Sequence, residues 1–220
     1  MKTRNQFLTE FSCPLPSAVL KRYPDGNIMQ YWAENPADYS KFLYNPTQLD
    51  QMISGHPGVD IATFQGDKII APCSGRIGSV VTSNYLGGNF VTMHTEHFLD
   101  NGKECYFILY FGHLESVQEL VCKPGTWVYR GDWIASEGNT GFVVSGNVRY
   151  WNNAPAGKGT HLHFQAVEYF ANGTPRWKNN MGNTIDPLLL IKYNNPDYTG
   201  INILLTNMVS YLRKALASLR

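Results

Sequence analysis

Charge is what this sequence has little of. Asp, Glu, Lys and Arg make up 16% of its 220 residues, against roughly 25% in an average soluble domain. Eighteen basic and 17 acidic residues leave a net charge of +1. No bulk field exists to gather a nucleic acid or an anionic lipid surface, so both drop out as partners. Cysteine is scarce too: Cys13, Cys73, Cys105 and Cys122 stand far apart, with no Cys-x-x-Cys pair. That argues against a structural zinc knuckle. Cys73, Cys105 and Cys122 lie among apolar residues and read as buried free thiols. A Cys105–Cys122 disulfide stays open on sequence alone. No apolar run reaches the ~18 residues of a membrane helix. Residues 1–16 hold no apolar core of signal-peptide length, so the expectation is export by another route, action where the protein is made, or a leader beyond this sequence.

What replaces charge is Asn, Gly, Ser, Thr and Tyr, the profile of a loop-rich β protein. Hydrophobic residues at 43% and aromatics at 13% are enough to build a core, which excludes wholesale disorder. The length allows one domain with appendages, or at most two small domains. Residues 1–50 contain Pro14, Pro16, Pro24, Pro36 and Pro46. They read as an irregular segment packing on the domain that comes after it. From Lys68 onward come short β-branched and aromatic runs separated by Gly and Asn turns: 68–72, 76–82, 89–94, 104–111, 126–129, 132–136 and 161–168. These predict antiparallel strands. Residues 137–160 hold five glycines and little periodicity, and read as a long, functional loop. In 201–220, Leu204, Leu205, Met208, Leu212, Ala215, Leu216 and Leu219 recur at helical spacing. That helix would dock on the domain or self-associate; three basic residues are too few for a membrane-binding face. The expected division is a segment 1–50, a β domain 51–192, and a linker with a C-terminal amphipathic helix 193–220.

Six histidines stand out in a chain so short of charge. In His161-Leu162-His163 on a strand, the two imidazoles and Gln165 project to one face, while Leu162, Phe164 and Ala166 face the core. The imidazoles are then ~7 Å apart at their α-carbons. Alone the pair is a weak signal, but two histidines on one polar face are hard to explain as packing. In His56-Pro-Gly-Val-Asp60, Pro57 and Gly58 argue against a helix. The segment reads as a loop entering a strand, with Gly58 turning the backbone so that both side chains converge. Imidazole and carboxylate are zinc ligands, and His163 added to His56 and Asp60 makes a three-ligand set that leaves a fourth position for water. His113 ends an apolar strand and so stands at the sheet rim. His94 and His97 share no strand register and read as surface residues.

The segments His56-Pro-Gly-Val-Asp60, Tyr110-Phe-Gly-His-Leu114, Gly138-Asn-Thr-Gly141 and Gly159-Thr-His-Leu-His-Phe164 occur in that order. Together they resemble the lysostaphin-type zinc metallopeptidases, which cleave bacterial cell-wall peptides. The turn Ala71-Pro-Cys-Ser-Gly75 and the hairpin Gly125-Thr-Trp-Val128-Tyr-Arg-Gly131 extend the likeness, which runs from about residue 28 to 170. The resemblance implies an antiparallel β-sandwich with an open groove. It implies one Zn2+ held by His56, Asp60 and His163, and a catalytic, non-ligand pair, His113 and His161. Relative to the family's Tyr-x-His-Leu motif, Gly112 stands as an extra residue between Phe111 and His113. The stretch from Gly141 to His161 exceeds the family's short link and is expected to reshape one groove wall. Asn84, Tyr85, Tyr150, Trp151, Asn152 and Asn153 are expected wall residues. For Trp151 a surface or capping role is about as good a reading.

The implied activity is hydrolysis of peptide bonds in peptidoglycan at the cell envelope: extracellular, periplasmic or virion-associated. Two other readings remain: a non-catalytic relative that binds or activates, and a virion or envelope structural protein carrying this domain.

Overall fold

The computed structural model describes residues 1–34, 55–82, 86–119, 121–177 and 183–191. Its elements are β1 (Lys2–Thr3), α1 (Arg4–Thr9), β2 (Ile28–Gln30), β3 (Val59–Ile61), β4 (Lys68–Ile70), β5 (Gly75–Val81) and β6 (Phe90–Thr95). Next come β7 (Phe98–Asp100), β8 (Lys103–Gly112), β9 (Ser116–Val117), β10 (Trp127–Val128), β11 (Trp133–Ser136), β12 (Phe142–Ser145) and β13 (Val148–Trp151). The last are β14 (Leu162–Phe170), β15 (Thr184–Ile185) and α2 (Leu188–Ile191).

Period-2 alternation builds the central pair. In β8, Cys105, Phe107, Leu109 and Phe111 are fully buried, while Glu104, Tyr106, Ile108 and Tyr110 between them are half-buried. In β14, Leu162, Phe164 and Ala166 are fully buried and Gln165, Val167 and Tyr169 half-buried. One face of each strand therefore enters the core and the other stays open. The large sheet runs β10-β5-β6-β8-β14-β3-β2, with every neighbour on this path antiparallel. A second sheet, β4-β11-β9, sends Ile69, Ile134 and Ala135 into the same core as Ile77, Met93, Leu109 and Phe164. Two sheets closing on one core form the expected mainly β, antiparallel architecture. All four cysteines are free thiols, and Cys73, Cys105 and Cys122 are buried.

The N-terminal segment is less irregular than its prolines imply. The Thr3 side chain caps α1 and Gln6 returns the bond, forming a capping box. Phe7 then stacks on Phe98 at 4.8 Å and Phe107 at 5.8 Å. Five apolar residues of this segment, Phe7, Leu8, Phe11, Leu15 and Ile28, belong to the core, so it is integral to the sheet domain as far as it is described.

The stretch 137–160 also holds regular structure. Phe142–Ser145 pairs with Val148–Trp151 as a hairpin around Gly146, whose φ is 59°. Two short apolar runs flank that turn, a hairpin signal masked by the surrounding glycines. The pairing of β8 with β14 is unbroken from Cys105–Phe170 to Gly112–His163. Gly112 is thus an ordinary strand position, with Phe111 in the core and Tyr110 on the open face. The helix expected in 201–220, and the expected wall residues Asn84 and Tyr85, lie outside the described residues. Among the described residues no helix is long and apolar enough to cross a membrane.

Candidate metal centre and groove

Sheet register assembles the centre. Antiparallel pairing of β3 with β14 sets His163 directly opposite Asp60. His56 enters from the preceding loop, where its backbone N–H donates to the Glu34 carbonyl at 2.9 Å and its carbonyl accepts from Ala33 N–H at 2.8 Å. The chain bends at Pro57–Gly58, as expected, and Gly58 also serves close approach. A Cβ there would lie 2.5 Å from the Phe164 carbonyl oxygen and 3.0 Å from His163 Cε1. Any larger residue would push the His56 loop off β14.

Three donor atoms then meet. His163 Nδ1 lies 2.8 Å from Asp60 Oδ1, and His56 Nε2 lies 2.9 Å from His163 Nδ1 and 3.0 Å from Asp60 Oδ1. His56 Nδ1 faces the Tyr31 carbonyl at 3.2 Å, so the proton belongs there and Nε2 carries a lone pair. The Gln165 amide touches His163 Nε2 at 2.7 Å. With its NH2 toward the ring it puts the proton on Nδ1; turned over, it accepts from Nε2–H and frees Nδ1. In the first state the single Nδ1 proton faces two acceptors, Asp60 Oδ1 and His56 Nε2. In the second, two imidazole lone pairs and a carboxylate oxygen point at one place. That donor set suits a divalent cation of zinc's character, with the far nitrogens anchored by outer partners. His56, Asp60 and His163 form a group able to hold a metal ion.

His113 and His161 flank this group without joining it. His113 follows β8 with φ at 60°, a left-handed conformation uncommon outside glycine. It is held there by a bond from its N–H to the Gly87 carbonyl at 2.8 Å. Its ring packs on His161 at 4.4 Å between centroids. His113 Nδ1 faces the Thr140 carbonyl and His161 Nδ1 the Gly159 carbonyl, each at 2.8 Å. Both rings therefore carry Nδ1–H and leave Nε2 free to exchange a proton. His161 Nε2 lies 3.7 Å from Asp60 Oδ2, the second carboxylate oxygen. The segment Gly138–Gly141 supplies this order through its backbone: the Gly138 carbonyl accepts from His161 N–H at 3.1 Å, and the Thr140 carbonyl holds His113.

Burial by itself would raise the Asp60 carboxyl, but His56, His161 and His163 outweigh it and hold the group well below the carboxylate range. Burial, with added repulsion from His161 and His163, holds His113 well below the imidazole range. Burial likewise lowers His163, against the pull of Asp60. Asp60 is thus a carboxylate, and burial disfavours the charged form of His113 and His163 beside it.

These residues open on a groove of about 470 Å³. Its floor is the open face of β8 and β14, with Tyr110, His163 and Gln165; Met29 and Gln30 of β2 form one side. The hairpin side is Phe142, Val143 and Val144 of β12. Tyr150 and Trp151, expected on this wall, sit instead on β13, one strand farther out, and Asn152 turns its side-chain oxygen to Gly141 N–H. Trp151 packs on Phe142 at 4.6 Å and so backs the wall. Asn153 accepts from Trp151 N–H. His94 and His97 lie outside the groove.

Two groove features have no sequence signature. Thr160 lines it with a buried hydroxyl that lacks a hydrogen-bond partner among the described residues. The carbonyls of Tyr31, Thr140 and Gly159, which set three histidine tautomers, are main-chain groups and independent of residue type.

No curated protein matches this sequence. Solved structures do. The solution structure of lysostaphin aligns with a TM-score of 0.50 at 23% identity, covering 87% of this chain and 58% of that one. The catalytic domain of lysostaphin from Staphylococcus simulans aligns at 25% identity with a TM-score of 0.43, covering 74% of this chain and 99% of that domain. A zinc-containing peptidase from Vibrio cholerae aligns at 23% identity and 0.40, covering 70% of this chain and 35% of its own. The profile of peptidase family M23 matches residues 54–185, well over half of the sequence and spanning all five residues of the centre, so this chain belongs to peptidase family M23.

Proposed function

We propose that this chain is a zinc-dependent endopeptidase that hydrolyses peptide bonds in bacterial peptidoglycan. The observation that carries the reading is the convergence of His56 Nε2, Asp60 Oδ1 and His163 Nδ1 within 3.0 Å of one another, beside two histidines with free Nε2 atoms.

His56, Asp60 and His163 would hold the ion. When bound, zinc acts as a Lewis acid that lowers the pKa of water toward ~7 and polarises a carbonyl. The chain's own groups do the rest. His113 and His161 take up the proton released as water adds to the scissile carbonyl and return it to the departing amine. A protonated imidazole of this pair also stabilises the oxyanion. The Thr140 and Gly159 carbonyls keep both rings in the tautomer that this exchange requires. Asp60 is the single formally charged side chain among the described lining residues. The groove therefore grips its peptide through uncharged polar and apolar walls.

Residues 51–192 form the catalytic domain in this reading, with residues 1–34 built into it and 193–220 carrying a docking or self-associating helix. The place of action is the cell envelope. Metal analysis of the purified protein, then release of peptides from isolated cell wall with and without a chelator, tests the proposal. One zinc per chain and chelator-sensitive cleavage are expected. A metal-loaded protein that leaves every wall peptide intact would defeat it.

A further inference from the structure

The open face of the large sheet continues past the groove. On β8 it carries Tyr110, Ile108 and Tyr106; on β14 it carries His163, Gln165, Val167 and Tyr169. Tyr106 and Tyr169 are direct cross-strand partners, as are Tyr110 and Gln165 beside the metal centre. Tyr169 lies six residue steps along β14 from His163, which at the strand rise is about 20 Å.

At that far end stands a row of parallel rings. His97 stacks on Tyr106 at 4.9 Å and 11°, Tyr106 on Tyr169 at 5.5 Å and 18°, and His94 lies 6.0 Å from Tyr106 at 17°. His97 is tied to Glu104 at 2.6 Å. On β5, Gly78 makes room for His94: a Cβ there would come within 3.0 Å of the imidazole Nε2. His94 and His97 are exposed and the two tyrosines half-buried. The catalytic chemistry uses none of these four residues. Their mutual stacking fixes the rings, so little side-chain freedom is left to lose on binding. The row offers apolar ring carbon beside phenol hydroxyls and imidazole edges, and the Glu104 carboxylate beside it is paired with His97. Such a surface suits a neutral, amphipathic ligand with apolar C–H faces and many hydroxyls.

We propose that the row His94, His97, Tyr106 and Tyr169 is a sugar-binding subsite. It holds the N-acetylated glycan of the same polymer whose peptide is cut at the other end of this sheet face. The proposal rests on the peptidoglycan reading. Continuity of the face supplies the geometry. A peptide of about six extended residues between scissile bond and sugar spans the 20 Å.

The test compares wild type, Tyr169→Ala and Tyr169→Phe on two substrates: intact cell wall and cross-linked stem peptides stripped of sugar. Binding to peptide-free glycan strands is measured alongside, and thermal melting checks that each variant folds. Tyr169→Ala should raise KM on intact wall about two- to tenfold, the effect of one aromatic contact. Its kcat, and its activity on the sugar-free peptide, should be unchanged. Glycan binding should fall in step, with Tyr169→Phe retaining most of it. Equal losses on both substrates, or no loss on wall and unaltered glycan binding, overturn the subsite alone. A wild type that cuts neither substrate removes the peptidoglycan reading, and the subsite with it.

Discussion

Asp60 and His163 face each other across the β3–β14 pair, with Oδ1 and Nδ1 2.8 Å apart. The distance between two proposed ligands is thus a property of sheet register, which a buried core face holds against slippage. Asp60→Ala should keep this register and lose the ion. Zinc affinity is expected to fall by more than ~100-fold, beyond the 10–100-fold of an outer-partner change. Equilibrium dialysis against zinc measures it, and near-ultraviolet circular dichroism shows that the fold survives. Retention of zinc by Asp60→Ala would remove the carboxylate from the ligand set.

His113 and His161 should behave in the opposite way. Their Nδ1 atoms are committed to carbonyls and they stand outside the donor group. His113→Ala and His161→Ala are each expected to bind zinc stoichiometrically and to lose 10²–10⁴-fold in kcat, the usual contribution of a general acid or base. Metal analysis and turnover on one preparation give both quantities. Full peptidase activity in His161→Ala would exclude it from the chemistry.

How far the sequence speaks depends on whether a role belongs to a side chain or to the backbone. His56, Asp60, His113, His161 and His163 are legible because each role needs a particular side chain at a particular spacing. The β strands are legible for the same reason, since Phe107, Leu109 and Phe111 must alternate to reach one core. The hairpin at 142–151 is hidden because its turn glycine is one of several nearby. Its consequence, a wall of Phe142 to Val144 with Tyr150 and Trp151 behind, depends on which strand of the hairpin faces the groove. The composition of the loop carries no such information. The seat of α1 in the core is likewise a tertiary fact that proline content obscures.

Thr160 provides a test of the groove that leaves the metal centre intact. Its buried hydroxyl has no partner among the described residues, a state that costs free energy until something supplies a bond. Substrate in the groove is the natural partner. Thr160→Val keeps the shape and removes the orphan oxygen, so the free protein should be as stable as wild type or more so. KM should rise about two- to tenfold, the worth of one neutral hydrogen bond. Steady-state kinetics with a thermal melt separates the outcomes. Lost stability with unchanged KM would mean that the hydroxyl serves the fold.

Glu137 links the strand that bears Asp60 to the loop that holds His113. Its carboxylate accepts from the Thr63 N–H at 3.0 Å and from the Thr63 hydroxyl, three residues beyond Asp60. Its carbonyl accepts from Gly66 N–H at 2.8 Å. Burial pushes its pKa up to about 7 from the ordinary 4.5, with Asp67 adding to the rise and the Thr63 bonds opposing it. Between those values the folded protein holds a proton that the unfolded chain has released. The stability this contributes is complete below about pH 4.5 and is lost as pH climbs through 7. The gap corresponds to about 3 kcal/mol at 1.36 kcal/mol per unit. His113 and His163, whose values are lowered, give an opposite slope in acid, so the total curve alone does not isolate Glu137. Glu137→Gln does, since it carries no titrating proton. Urea unfolding of both proteins from pH 4.5 to 8.5 should show the variant gaining on wild type as pH rises, by up to about 3 kcal/mol. A constant offset across that range would mean that Glu137 titrates as an ordinary carboxylate and that its burial is relieved in solution.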